Sequence, residues 1–127
     1  WAESMPMLWR FKYIMNGTAV QDETLKADGV HSGSIRQFDT ESKQWQVHYY
    51  SSGATSGSLP HWTGGRVGKS LVFNREQAAP NGMSGVFRLT FSEISAKGFQ
   101  WVGAWISEDE SIVYPTWKIS CSKQVKP

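Results

Sequence analysis

Three consecutive runs toward the C-terminus alternate between apolar and polar side chains. In 87–92, Phe87, Leu89 and Phe91 alternate with Arg88, Thr90 and Ser92; then Phe99, Trp101 and Trp105 share one parity, and after them Val113, Trp117, Ile119 and Cys121 do. A period of two in segments rich in aromatic and β-branched residues marks strands with one buried face. The short polar breaks A-K-G and E-D-E between the runs predict a three-stranded meander whose inner face is mostly rings.

The same pattern recurs upstream. Trp9, Phe11 and Tyr13 oppose Arg10 and Lys12, so 8–14 reads as a half-buried strand, and Asn16-Gly17 after it supplies the positive φ angles of a tight hairpin. The returning strand, 19–25, leaves its inner face open, since Val20, Asp22 and Thr24 alternate with Ala19, Gln21 and Glu23. Asp28-Gly29 and Gly33 read as breaks, 34–39 as a short strand, and 44–51 as a longer one with Trp45, Val47 and Tyr49 against Gln46, His48 and Tyr50. Two short strands, 61–66 and 70–75, flank Gly68-Lys69. No window shows a helical stripe, and 22–27 and 76–79 have room for one helical turn at most. The prediction is an all-β chain: an antiparallel up-and-down β-barrel of about 8–10 strands, favoured because closure removes exposed strand edges. A barrel of about eight strands can hold one small ligand. The stretch 51–60, S-S-G-A-T-S-G-S-L-P, is low in complexity, and loops of that kind at a barrel mouth often gate a pocket.

Composition narrows the function classes. A chain of 127 residues fits a single domain spanning 1–127, and 13% aromatic residues with 7 Trp exceed what an aliphatic core needs. The net charge is +2 and the 13 basic side chains form no run, which argues against nucleic-acid and anionic-membrane partners. No apolar stretch of about 18 residues suggests a membrane span. Cys121 is the only cysteine, so no internal disulfide forms; that suits a reducing compartment, and the cytoplasm is slightly favoured. Nothing implies a cofactor, and a homodimer is compatible with the chain. The sequence opens at Trp1 with neither Met nor a leader, from which a trimmed first strand is expected.

The segments W-R-F-K-Y-I-M-N-G-T-A-V-Q-D (9–22), S-I-R-Q-F-D with W-Q-V-H-Y (34–49), and F-S-E-I with F-Q-W and W (91–105, with Trp117) together resemble a family of small bacterial lipocalin-like proteins of the calycin type. The resemblance runs in order along nearly the whole chain. It implies a calycin-like antiparallel barrel, a first strand around a Gly-x-Trp of which Trp1 is the remnant, and Trp117 as the aromatic of the final strand. It brings no reaction or ligand with it.

Several motifs have blander readings that win. G-G-R-V-G-K-S at 64–70 lacks the leading glycine of a phosphate loop and precedes a strand rather than a helix, so it reads as a hairpin turn. Asn16-Gly17-Thr18 is formally a glycosylation sequon but reads first as a turn. His31, His48 and His61 have no metal-ligand spacing; His61, beside Pro60 and Trp62, is the best placed of them for haem. Cys121 shares parity with Trp117 and Ile119 and reads as a small buried residue. Arg88 is expected on the polar face, opposite Phe87 and Leu89. Arg36 is the undecided charge: turned inward, it demands a carboxylate or an anionic ligand.

These readings converge on a binding protein for a small hydrophobic or aromatic molecule. Its polar candidates are Tyr13, Gln21, Arg36 and Tyr49, and its walls Trp9, Trp45, Phe91, Trp101, Trp105 and Trp117. Whether the rings leave a cavity or fill the interior stays open, with Gly103 between Trp101 and Trp105 pointing to a hollow. The competing class is an isomerase, cyclase or decarboxylase on the same scaffold, for which Asp22, His48 and Glu93 are the acid-base candidates, Glu93 facing inward with Phe91. A third class is an interaction module with a filled core, for which exposed Tyr50 and Trp62 are the clue.

Overall fold

The alternation becomes nine strands: β1 (Met7–Ile14), β2 (Ala19–Lys26), β3 (His31–Asp39), β4 (Gln44–Ser51), β5 (His61–Val67), β6 (Ser70–Glu76), β7 (Gly85–Ser95), β8 (Gly98–Ser107) and β9 (Val113–Ser122). They run in antiparallel up-and-down order in a computed structural model that describes residues 3–55 and 57–124; Trp1 lies outside the described residues. No helix forms among the described residues, so none is present to cross a membrane. The chain divides into two compact units, Trp1–Trp62 and Thr63–Pro127.

In the first unit the turn between β1 and β2 is made where Asn16-Gly17 predicts it, with Met15, Asn16 and Gly17 all at positive φ. Pairing then fixes the faces that the β2 pattern leaves open. Phe11 opposes Asp22, Asp22 opposes Ser34, Ser34 opposes Tyr49, and Arg36 opposes Val47. One face therefore carries Trp9, Phe11, Asp22, Ser34, Arg36, Val47 and Tyr49. The other carries Gln21, Glu23, His31, Gly33, His48 and Tyr50, because side chains alternate across a strand. The first is the buried face: Val47, Asp22 and Ser34 are almost inaccessible to solvent, and so is Trp62 at the start of β5.

Gly33 does not break the chain. It sits inside β3, opposite Glu23 on one side and Tyr50 on the other. A Cβ there would lie 2.5 Å from the Asp22 carbonyl oxygen and 3.1 Å from the Tyr50 ring and hydroxyl. The residue marks a close approach rather than a turn, a common meaning of glycine inside a strand.

In the second unit, β5 and β6 join in a tight hairpin about Gly68-Lys69, with Gly68 at φ +61, so 64–70 is a hairpin as expected. Register stacks the rings on one face: Phe73 opposes Leu89, Leu89 opposes Gly103, Phe91 opposes Trp101 and Phe87 opposes Trp105. Phe73, Phe91 and Trp101 are buried, with Phe73 edge-on to Phe91 at 6.1 Å and Trp101 edge-on to Trp117 at 5.4 Å. The hollow expected at Gly103 is absent. A Cβ there would meet Trp101 at 3.1 Å and Phe87 at 3.3 Å, so the neighbouring rings close over the glycine.

Two irregularities overturn parity readings. The register of β7 shifts between Ser92 and Ser95, where Glu93 takes φ 50 and is exposed, so it does not continue the face of Phe91. The register of β9 shifts opposite Gly103 and Ala104, leaving Thr116 as the extra residue, with its hydroxyl donating to the Gly103 carbonyl at 3.2 Å. Trp117, Ile119 and Cys121 keep the ring face, whereas Val113 opposes Ile106 on the other.

Gly64 allows the closest backbone approach in this unit: a Cβ would stand 1.9 Å from the Val72 carbonyl oxygen. Backbone cannot swing aside as a side chain can. Gly64→Ala is expected to cost about 2–3 kcal/mol and lower Tm by roughly 8–12 °C, read by thermal unfolding.

Candidate functional site

Arg36 answers the question the sequence leaves open. It turns to the buried face and pairs with Asp22, whose same carboxylate oxygen accepts from the Ser34 hydroxyl; the side chains of Arg36 and Asp22 are 12% and 4% exposed. Its guanidinium lies 5.9 Å from the centre of the Phe11 ring. Burial holds the Arg36 pKa down at about 10, still far above neutrality, so the cation persists and the carboxylate is its partner. An arginine already answered in this way is a structural charge, not one held ready for an anion.

The opposite face of the same strands carries an opening, a groove of about 780 Å³. Its floor comes from Gln21 and Glu23 of β2, His31 of β3 and Tyr50 of β4; Ser32, Tyr49 and Ser51, whose parity is that of Arg36, border it, as do Ala54, Thr55, Leu59 and Pro60 of the 51–60 loop. The loop is tied down at both ends. The His31 carbonyl accepts from the Ser52 N–H at 2.8 Å, the His31 N–H donates to the Ser52 hydroxyl at 3.0 Å, and the Tyr49 N–H donates to the Pro60 carbonyl at 3.0 Å. Since Gly33 has no side chain, the Tyr50 ring can lie across β3 and reach β2, where the Gln21 amide donates to its hydroxyl at 3.2 Å. Beside them His31 Nδ1 meets Glu23 Oε1 at 3.1 Å.

Along that face, the rings of His48 and His61 stack at 4.7 Å with planes 10° apart, and His61 Nε2 bonds the Gln46 side chain. Desolvation, with the charge of His48 adding to it, lowers the His61 pKa below its ordinary 6.5. In the second unit a recess of about 440 Å³ lies by Met83, Ser84, Ser107, Glu108 and Asp109. There Asp109 accepts from Ser107 Oγ at 2.8 Å and from Ser111 N and Oγ at 3.0 and 2.7 Å, which brings its pKa to about 2. That carboxylate builds its own turn. Among the described residues no three His, Cys, Asp or Glu side chains gather around a metal-sized point.

Of the ten residues singled out from the sequence, Gln21 faces the groove and Tyr49 borders it from the opposite parity. Trp9 stacks on Phe11 at 5.2 Å and Trp45 stands edge-on to Phe38 at 5.5 Å, both on the face of Arg36, while Tyr13 is 79% exposed. Gln21 faces away from all of these. In the second unit Phe91 and Trp101 are core, Trp105 donates its indole N–H to the Gln77 carbonyl at 2.8 Å, and Trp117 is 42% exposed. Of the acid-base candidates, Asp22 is held by Arg36, His48 is stacked on His61, and Glu93 stands in solvent at its bulge. Trp62 is buried edge-on to Tyr49 at 6.2 Å and Tyr50 is half-buried, so neither is the exposed ring an interaction module would show. Sequence reasoning missed Tyr50, Glu23, His31 and Leu59 as groove residues. The available signal was the low-complexity loop directly after Tyr50, together with a glycine inside strand-like sequence.

Comparison of the chain with protein-family models, with curated proteins and with solved structures finds no match.

Two outcomes follow from the charged groups. Arg36→Ala leaves the Asp22 carboxylate buried without its cation and is expected to cost about 3–5 kcal/mol, whereas Asp22→Leu with Arg36→Met regains most of that loss; urea unfolding measures both. The His61 pKa is lowered on folding, so as pH falls from about 6.5 the unfolded chain takes up the proton first. Stability is full above that pH and declines as pH falls toward the folded-state value. His48→Gln is expected to shrink this acid-side decline and to raise the His61 pKa in an NMR titration.

Proposed function

We propose that this protein binds a small molecule presenting an apolar or aromatic face, and that the site is the groove over β2, β3 and β4. The observation carrying this reading is the seat of Tyr50: its ring laid over Gly33 and tethered to Gln21, beneath the 51–60 loop. The volume of about 780 Å³ falls within the roughly 300–1,000 Å³ usual for ligand pockets. Tyr50, Leu59 and Pro60 supply ring and aliphatic contact, and Gln21, Glu23 and His31 fix orientation. The scaffold belonging to this reading is a calycin-like, lipocalin-like barrel, which the up-and-down antiparallel order supports. On it the buried rings act as core and the ligand is met at the groove.

Titration with indole, monitored through backbone amide resonances, is expected to shift Gln21, Tyr50 and Ala54 together. Tyr50→Ala should weaken binding about tenfold, or about 1.4 kcal/mol. Shifts confined to Phe91, Trp101 and Trp117 would defeat the proposal.

A further inference from the structure

Resting on the groove as the binding site, we infer that its ligand is a neutral sugar ring, taken as a short saccharide laid against Tyr50 with its hydroxyl groups met by Gln21, Glu23 and His31. Charge argues first. Among the described residues the groove is lined by no lysine or arginine, and the one imidazole there already faces the one carboxylate at 3.1 Å. A carboxylate or phosphate ligand would enter without a counter-charge, next to Glu23. Fatty acids, aromatic acids and nucleotides are therefore poor occupants.

Hydrogen-bonding capacity argues next. The Gln21 amide nitrogen is committed to Tyr50, and Glu23 Oε1 to His31 Nδ1. Among the described residues this leaves the Tyr50 hydroxyl proton, Gln21 Oε1, Glu23 Oε2 and His31 Nε2 without a protein partner, a set mixing donors with acceptors. Adjacent sugar hydroxyls each donate and accept, which suits such a set, whereas a purely apolar guest would strip these groups of water without replacing it.

Shape is the third argument. The opening is a groove along three strands rather than an enclosed chamber, and its ring is held fast by the Gln21 bond and by the bare backbone of Gly33. A pyranose has one face of C–H groups that covers an aromatic ring and an equatorial rim of hydroxyls that reaches outward. Ser51, Ser52 and Thr55 extend the polar rim along the loop, room for more than one sugar unit.

The test is NMR and calorimetric titration of the full chain with cellotriose, maltotriose and chitotriose, beside indole, benzoate and benzylammonium. At least one trisaccharide is expected to shift Gln21 and Tyr50 resonances, with Kd changing less than about twofold between about 0.05 and 0.5 M salt, as befits an uncharged ligand. Tyr50→Leu and Glu23→Ala should each weaken that binding at least about tenfold while cooperative thermal unfolding is retained. If indole shifts the groove and no sugar does, the saccharide assignment is wrong and the groove stands. Tighter, salt-sensitive binding of benzylammonium or benzoate than of every sugar overturns the assignment likewise, as does unchanged sugar affinity in both variants. Silence from all six probes removes the groove reading itself.

Discussion

A guanidinium shut away from water needs a carboxylate beside it, and in the first unit one register of β2 against β3 delivers it. With Val20 opposite Arg36 and Ser34 opposite Asp22, the two charges lie one diagonal step apart on the same face, and Ser34 takes a further lone pair of the acid. A slip of one residue would send one of the charges to the other face and leave both without partner, at a cost exceeding most single contacts. The pair adds little net stability over an apolar substitute; its role is to exclude the alternatives. The groove inherits that choice, because Gln21 and Glu23 are chain neighbours of Asp22. The alignment that brings Asp22 to Arg36 also places those two on the opposite face, within reach of Tyr50 and His31.

The second unit is ordered by shape rather than charge. Its ring face is continuous because glycines sit where rings need room: Gly85 beside Trp105, and Gly103 between Trp101 and Phe87. Aromatic side chains fill such a face densely and favour edge-on contacts, as Phe73 with Phe91 and Trp101 with Trp117 show. The bulges at Glu93 and Thr116 bend β7 and β9 without interrupting that surface, since each inserts its extra residue outside the run of buried rings.

The strands were legible because the period-two signal is local and nearly every turn carries its own chemistry, as at Asn16-Gly17 and Gly68-Lys69. Failures came where one residue changes the count. Val113 and Glu93 were placed by extrapolating parity through bulges, and a bulge announces itself only weakly, here by Pro115 in the one case and by nothing evident in the other. Gly33 was misread because a glycine that breaks a strand and one that admits a neighbour's ring look alike until the neighbour is known. Arg36 was identified as the charge to watch, and the condition attached to it, a carboxylate partner, is met by Asp22, itself a residue of ambiguous face. The groove is half visible in the sequence: its loop, Gln21 and Tyr49 are candidates there, whereas Tyr50, on the polar parity, reads only as the exposed ring of an interaction module. Choosing aromatic residues by the buried parity selects core, and the Tyr50 ring that lines the surface groove lies on the other side.

The seat of Tyr50 has a kinetic and entropic corollary. A phenol whose hydroxyl accepts from Gln21 and whose ring rests on the bare backbone of Gly33 cannot swing to another χ1 rotamer as freely as a surface tyrosine does. Its rotamer is selected before any guest arrives. Such preorganisation removes about 0.5–1.5 kcal/mol of immobilisation entropy from association for a side chain of this kind, so a shallow recess can hold a ligand that a mobile ring would let go.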